Sequence, residues 1–292
     1  MKDFSYSAPA TLAEATRLLA GANGKAMILA GGTDIIVQLR EGLREADVVV
    51  DVKKIPELAE LSYSPAKGLR LGASVPCYRI YEDAAIAAAY PALADAARIV
   101  GGWQIQTRAS VGGNLCNSSP AADTIPALIA HGATCVIAGP KGERQVKVEE
   151  FCTAPGRNVL QPGELLVALV FLPPAKSAGS AYERFIPRNE MDIAVVGAGS
   201  WVQLAKGGEE IEKARIGLAA IAPTPRFAAE ASQWLTGQPA TEDIFARAGE
   251  LARNVAAPIS DMRGTAEYRM HLIGVLVKRT LLKAAERARA GG

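Results

Sequence analysis

The first fifty residues alternate between helical and strand-like spacings of apolar side chains. Residues 11–19 place apolar positions at helical spacing behind Pro9, which is a helix start signal. Residues 25–29 form a compact apolar run that ends at a glycine pair, and a second helical spacing follows over 35–43. Residues 47–52 are a β-branched run typical of a strand. Together these stretches predict a βαβ-like unit of about fifty residues.

The middle of the chain mixes short strands with helices. Residues 68–73 predict a hairpin strand, and the alanine-rich stretch 84–100 predicts a helix that Pro91 interrupts. Residues 101–123 are polar and follow neither spacing. After them the pattern predicts a short helix at 125–131 and strands at 133–137, 145–148 and 165–172.

Two adjacent prolines, Pro173 and Pro174, begin the best candidate for a linker, which runs on through small polar residues to 180. We therefore predict domains at residues 1–175 and 176–292. Beyond the linker, the pattern predicts strands at 193–203 and 214–222 and helices at 225–235, 241–255 and 266–289. The C-terminal domain is thus predicted to be of the α+β class.

Composition and charge exclude several kinds of partner. The chain has 292 residues, 32 Lys and Arg against 30 Asp and Glu, and a formal net charge of +2. Such a balance gives no excess of basic charge for nucleic acid or an anionic membrane. The N-terminus lacks a secretory signal, and no stretch is long and apolar enough to insert into a membrane. We therefore expect a cytoplasmic protein.

The cysteines and histidines argue against a metal centre in this chain. Cys77, Cys116, Cys135 and Cys152 are widely separated, with no C-x-x-C pair. Iron–sulfur clusters and structural zinc usually take thiolates from close pairs, so we expect neither here. The two histidines, one of them His131, are too few for a polyhistidine site and are expected to be structural.

The first candidate for ligand binding is a glycine turn at residues 30–34, between a predicted strand and a predicted helix. Gly31 and Gly32 let the backbone turn sharply and present successive N–H groups, which can hold an anion. Thr33 could donate to a phosphate or cap the helix. A glycine pair alone is also compatible with an ordinary turn, so this motif leaves both interpretations open.

The second candidate is the segment 107–123, which contains a further glycine pair, three serines, two asparagines and an aspartate. Its apolar flanks predict that it passes through the interior, where its polar groups need partners. A polar ligand would supply them. Two such segments in one domain could hold a diphosphate from opposite sides. The G-x-G-x-x-G fingerprint is missing from the first strand-to-helix turn, which disfavours a nicotinamide-binding Rossmann domain.

Three runs resemble the FAD-binding subunit of the xanthine dehydrogenase and carbon monoxide dehydrogenase family. They are 30–34 (AGGTD), 109–115 with 119–123 (ASVGGNL and SPAAD), and 260–269 (SDMRGTAEYR). The resemblance spans essentially the whole chain. It implies an α+β protein with a two-subdomain FAD-binding domain of the PCMH type. A smaller α+β C-terminal domain, with a three-stranded antiparallel sheet and helices, would follow.

The resemblance also implies where FAD would be bound. Residues 30–34 and 110–114 match the family's diphosphate segments, Asp123 its flavin-contacting aspartate, and Leu166 an apolar residue against the ring. Arg184 stands where the family brings a lysine near the flavin. The candidate set is Ala30, Gly31, Gly32, Thr33, Asp34, Thr107, Ser110, Gly112, Gly113, Asn114, Ser119, Asp123, Leu166 and Arg184.

The same resemblance implies a division of labour among subunits. A large subunit would carry the molybdopterin cofactor, a small subunit two [2Fe-2S] clusters, and this chain FAD, as a dimer of heterotrimers. Electrons would pass through the clusters and FAD to an external acceptor, and no residue here would act on the organic substrate. The cysteine-bearing insertion of the benzoyl-CoA-reducing branch is missing between Cys116 and Cys135. Two alternatives stay open: a self-sufficient flavin reductase and a flavin-free assembly module.

Overall fold

The computed structural model describes residues 2–22 and 24–291, and it begins with the predicted βαβ unit. Thr11 starts the first helix, because its side chain accepts a hydrogen bond from the Glu14 amide. Three strands form a parallel sheet in the order β1-β3-β2. The elements are β1 (Ser5–Ser7), α1 (Leu12–Gly21), β2 (Ala26–Leu29), α2 (Ile35–Arg40), β3 (Val48–Asp51) and α3 (Pro56–Ala59).

A five-stranded antiparallel sheet and six short helices form the second unit. They are β4 (Leu61–Ser64), β5 (Gly68–Gly72), α4 (Tyr78–Glu82), α5 (Ala84–Ala89), α6 (Pro91–Ala97), α7 (Trp103–Gln106), α8 (Val111–Asn117), α9 (Thr124–Ala130), β6 (Thr134–Gly139), β7 (Gly142–Lys147), β8 (Cys152–Ala154), β9 (Arg157–Asn158) and β10 (Leu165–Phe171). The sheet order is β4-β5-β10-β6-β7, with β8 and β9 as a separate hairpin. Pro91 begins α6 and so divides the predicted alanine-rich helix.

The polar segment 101–123 contains two helices that the apolar pattern did not predict. It does pass through the interior, because Ser110 and Ser118 are both buried. Ser110 caps α8 by accepting from the Gly113 amide, and Ser118 ends the helix in the left-handed conformation at φ 50°. A cap and tertiary packing thus make a helix of residues whose composition is typical of a loop.

The C-terminal part forms a four-stranded antiparallel sheet with helices. Its three long strands agree with the predicted three-stranded antiparallel sheet. A two-residue edge strand makes a fourth, and it lies inside the stretch from 225 that the sequence predicts to be helical. Helix formation there begins only at Ala229. The elements are β11 (Ala178–Phe185), β12 (Val196–Leu204), β13 (Ile211–Ala219), β14 (Arg226–Phe227), α10 (Ala229–Trp234), α11 (Glu242–Ala252) and α12 (Ala266–Ala290).

Helices cover both faces of the C-terminal sheet. The long helix α12 packs against β11 and β12, and α6 and α9 pack on the other side. An added Cβ at Gly199 or Gly217 would lie within 2.6 Å of the Pro126 carbonyl oxygen, so both positions require glycine. Arg287 of α12 also pairs with Asp95 of α6 at 2.7 Å. These contacts fix the C-terminal sheet against α6 and α9 of the second unit.

His131 follows α9 at this junction and has an unusual environment. It is enclosed by the Tyr90 and Phe171 rings, and its Nε2 lies 3.1 Å from the Ser180 hydroxyl. Burial and, to a smaller extent, the nearby Arg215 guanidinium lower the pKa of His131 to about 3. The folded chain therefore keeps a neutral imidazole down to low pH.

This neutral imidazole predicts a loss of stability in acid. Below pH 6.5 the unfolded chain binds a proton that folded His131 does not, so stability falls as the pH falls from 6.5 towards 3. Between pH 6.5 and 5, the free energy of unfolding should drop by about 1.5 kcal/mol more in the wild type than in His131→Gln. Urea unfolding at each pH measures this difference. Equal pH dependence of the two proteins would contradict the assignment.

Candidate functional site

A cleft of about 710 Å³ lies between the βαβ unit and the helices of the second unit. This volume is in the range of pockets that enclose a small molecule or a cofactor. Twelve of the fourteen residues singled out in the sequence line it. They are Ala30, Gly31, Gly32, Thr33, Asp34, Ser110, Gly112, Gly113, Asn114, Ser119, Asp123 and Leu166.

The first glycine segment is held against the second. A Cβ added at Gly31 would lie 2.2 Å from the Arg108 carbonyl oxygen, which is backbone and cannot move aside. Gly32 has φ +83°, in the left-handed region that favours glycine. Both glycines are thus explained by the local backbone. Because the glycines allow this close approach, the β2–α2 turn and the start of α8 form two adjoining walls of one cleft.

Gly112 and Gly113, the second glycine pair, have different surroundings. A Cβ added at Gly112 would lie 2.5 Å from the Ala73 carbonyl oxygen, so this glycine lets α8 pack closely on the end of β5. Gly113 differs, because only the Ser110 hydroxyl, at 3.0 Å, is near the position of an added Cβ. The first amides of a helix have no acceptor within the helix. Gly113 thus leaves space on the cleft wall beside backbone donors.

Asn114 is oriented by a residue that the sequence analysis missed. Its Oδ1 accepts from the Thr124 hydroxyl at 2.6 Å and from the Thr124 amide at 3.3 Å. The Nδ2 group of Asn114 keeps two donors for a ligand in the cleft. Thr124 is itself fully buried at the start of α9. No local pattern marks this pair, since the two residues are joined by the turn between two helices.

Asp123 lines the cleft and is held from behind by strand β11. The Tyr182 hydroxyl donates to Oδ1 at 3.0 Å, and Arg184 Nη1 donates to Oδ2 at 2.5 Å. Burial raises the pKa of Asp123 to about 6, although Arg184 and the Tyr182 hydroxyl both act to lower it. Arg184 does not line the cleft, and its side chain is only 6% exposed. Its direct partner is the aspartate.

Thr107 is the other candidate that does not line the cleft. It is exposed at the end of α7, where its hydroxyl donates to the Gln104 carbonyl oxygen at 2.8 Å. Leu166, in contrast, is buried in β10 and lines the cleft. A β-bulge in the β10–β6 pairing follows Leu166 directly. Apolar surface therefore reaches the cleft from the five-stranded sheet.

Charged groups in the cleft are few and mostly acidic. Among the described residues that line it, Arg44 is the single basic one, and it donates to the Gly156 carbonyl oxygen at 3.0 Å. Partial desolvation in the cleft raises the pKa of Asp34 above its ordinary value, although the residue as a whole is exposed. An anionic ligand would therefore depend on backbone N–H groups rather than on a lysine cluster.

Residues 2–22 and 24–291 contain neither a metal-binding cluster nor a membrane-spanning helix. No group of three or more His, Cys, Asp or Glu side chains in this part of the chain could hold a metal ion. The four cysteines are free thiols. None of the helices formed by the described residues is both long enough and apolar enough to cross a bilayer.

Two family descriptions match the chain. Residues 2–175 match "FAD binding domain in molybdopterin dehydrogenase". Residues 180–284 match "CO dehydrogenase flavoprotein C-terminal domain". The first match contains the whole cleft lining except two positions, Asp192 and Ile193.

Full-length relatives and solved structures agree with these matches. A putative xanthine dehydrogenase FAD-binding subunit of Escherichia coli (strain K12) is 34% identical over 100% of this chain and 99% of its own length. The carbon monoxide dehydrogenase medium chain of Afipia carboxidovorans is 31% identical, covering 98% of both chains. A crystal structure of the Cu,Mo-CO dehydrogenase superposes with a TM-score of 0.92 at 30% identity, over 97% of this chain and 98% of the other. The chain therefore belongs to the family of FAD-binding subunits of xanthine dehydrogenase- and carbon monoxide dehydrogenase-type molybdenum hydroxylases.

Proposed function

We propose that the chain binds FAD in the 710 Å³ cleft and relays electrons from the [2Fe-2S] clusters of a partner subunit to an external acceptor. The observation that carries this proposal is the contact between the two glycine segments at Gly31 and Arg108. It brings two sets of backbone donors to one cleft in a chain whose family is defined by an FAD-binding domain. Bound FAD would supply the electron-accepting chemistry.

The residues of the cleft fit a dinucleotide. Backbone N–H groups of residues 30–34 and 110–114 would hold the diphosphate, which needs donors in a lining that is poor in basic side chains. In the second segment these donors would be the amides ahead of Gly113, because the Gly113 and Asn114 amides already donate to Ser110. Ser119 and the Asn114 amide add polar contacts, and Leu166 gives an apolar surface for a ring system. Asp123 would accept a hydrogen bond from the ligand. Thr107 is not part of this proposed site, since its hydroxyl is used within α7.

The proposed assembly contains two further subunits. A large subunit with the molybdopterin cofactor would oxidise the substrate, and a small subunit would carry two [2Fe-2S] clusters, in a dimer of heterotrimers in the cytoplasm. Support comes from relatives described as an FAD-binding subunit and as a medium chain. We also propose that residues 1–175 and 176–292 are the two domains of this chain.

Co-purification tests the assembly. The chain should be isolated with two partner chains, and the complex should contain FAD, molybdenum and iron. Reduction of an acceptor by the isolated chain, with no partner present, would favour the self-sufficient reductase instead. An isolated chain and complex that both stay colourless after incubation with FAD would favour the flavin-free assembly module.

Gly113→Val tests the cleft without disturbing the packing around it. Because only the Ser110 hydroxyl is close to the added Cβ, the variant should fold, while the rest of the side chain fills space on the cleft wall. We expect the dissociation constant for FAD to rise by about 100-fold, corresponding to the loss of about 3 kcal/mol. Flavin fluorescence titration gives this constant, and thermal unfolding checks the fold. A folded variant with wild-type affinity would refute the proposed position of the cofactor.

A further inference from the structure

We infer that Tyr182 and Arg184 are positioning residues that fix both oxygens of Asp123, so that strand β11 of the C-terminal sheet orients a side chain that lines the cofactor cleft. The inference rests on the proposed function, because it takes FAD to be the ligand of that cleft. It assigns a role to Tyr182, and it gives Arg184 a role through Asp123 rather than through direct contact with the ligand.

The geometry of β11 carries the first step. Residues two apart on a strand project to the same face, so Tyr182 and Arg184 reach the same carboxylate. The Tyr182 hydroxyl takes Oδ1 at 3.0 Å and Arg184 takes Oδ2 at 2.5 Å. With a different donor on each oxygen, rotation of the carboxylate breaks at least one bond. Asp123 thus presents a fixed edge to the cleft.

The side chains of this cluster are almost completely buried, which makes their contacts part of the folded core. Tyr182 is 3% exposed, and the side chains of Arg184 and Asp123 are 6% and 13% exposed. Glycine at 197 on the neighbouring strand makes the room, since a Cβ there would lie 2.7 Å from the Tyr182 hydroxyl oxygen. Asp123 alone of the three lines the cleft. A change at Tyr182 can therefore reach the ligand only through the aspartate.

Other charged groups lie behind the cluster and on the cleft wall, and they also affect the pH dependence of FAD binding. Behind it, the Tyr182 amide donates to Asp95 at 3.2 Å, and Asp95 is paired with Arg287. On the cleft wall stand Asp34 and Asp192. The hydroxyl of Tyr182 favours the ionised form of Asp123, so its removal raises the pKa of that carboxyl.

Tyr182→Phe tests the inference, with Tyr90→Phe as the matched control. Tyr90 is equally buried and its hydroxyl donates to the Leu172 carbonyl oxygen, away from the cleft. The dissociation constant for FAD is measured by flavin fluorescence from about pH 5 to 8.5. A plot of this constant against pH should have an inflection where Asp123 titrates. The inflection should lie at the same pH in the wild type and Tyr90→Phe, and about one pH unit higher in Tyr182→Phe.

The outcomes separate this inference from the proposed function. An inflection at the wild-type pH in Tyr182→Phe would overturn the inference, even if binding were uniformly weaker, because uniform weakening indicates a merely structural role. Arg184→Lys is a second variant, which keeps a donor and the positive charge. The pH of its inflection in FAD affinity should therefore lie nearer the wild-type value than that of Arg184→Gln. If the wild-type chain bound no FAD at any pH, the proposed function and the inference would both fail.

Discussion

A Gly31→Val variant is expected to lose FAD affinity by at least about 100-fold, because the valine side chain forces the two walls of the cleft apart. An added Cβ would stand 2.2 Å from the Arg108 carbonyl oxygen and 2.7 Å from its carbon. These atoms are backbone, so one segment must move away from the other. Donors displaced from a shared ligand lose about 1.5 kcal/mol each, and two such losses account for the effect. Flavin fluorescence titration measures it.

Gly21→Val provides the control for this substitution. Gly21 ends α1, has nothing within 4 Å of an added Cβ, and does not line the cleft. This control should bind FAD like the wild type. If Gly31→Val also retained wild-type affinity, the contact between the two segments would have no part in cofactor binding, and the proposed site would be wrong.

Arg269→Met is expected to lower the free energy of unfolding by about 3 kcal/mol. Arg269 is 4% exposed and donates to the carbonyl oxygens of Val195 and Ala220 at 2.6 and 3.2 Å. Its other Nη donates to Asp261 at 2.7 Å. Methionine fills similar space but leaves two carbonyl groups and a carboxylate without this donor. The midpoint of urea unfolding measures the loss.

Ala220 connects Arg269 to the polar segment 107–123. Ala220 has φ 62°, an unfavourable conformation for alanine, and its amide donates to the Pro120 carbonyl oxygen at 2.7 Å. Arg269 therefore supports a strained residue that contacts the polar segment 107–123. Arg279→Met, an exposed position of the same helix, is the control and should change stability by less than about 0.5 kcal/mol. Equal stability of the two variants would contradict the structural role of Arg269.

Local signals explain why the βαβ unit could be predicted from the sequence. A β-branched run, helical spacing and a glycine turn each act within a few residues, and they agree with one another. Helix α8 was missed because its glycines and asparagines favour loops. Its helix depends on the Ser110 cap and on the packing of Gly112 against Ala73, which lies far away in sequence.

The candidate site shows the same division between local and tertiary information. The two glycine motifs were visible in the sequence and do line one cleft. The partners that orient its polar side chains were not visible: Tyr182 reaches Asp123 across 59 positions, and Thr124 contacts Asn114 only after a turn between helices. The family resemblance places Arg184 near the flavin, whereas its direct partner in the structure is Asp123.

A crystal structure of the chain reconstituted with FAD would show where the cofactor binds. We expect the diphosphate in the 710 Å³ cleft, with phosphate oxygens within hydrogen-bonding distance of backbone N–H groups in residues 30–34 and 110–114. Density for FAD in another part of the molecule, with Gly31, Gly32, Gly112 and Gly113 far from any phosphorus atom, would contradict it.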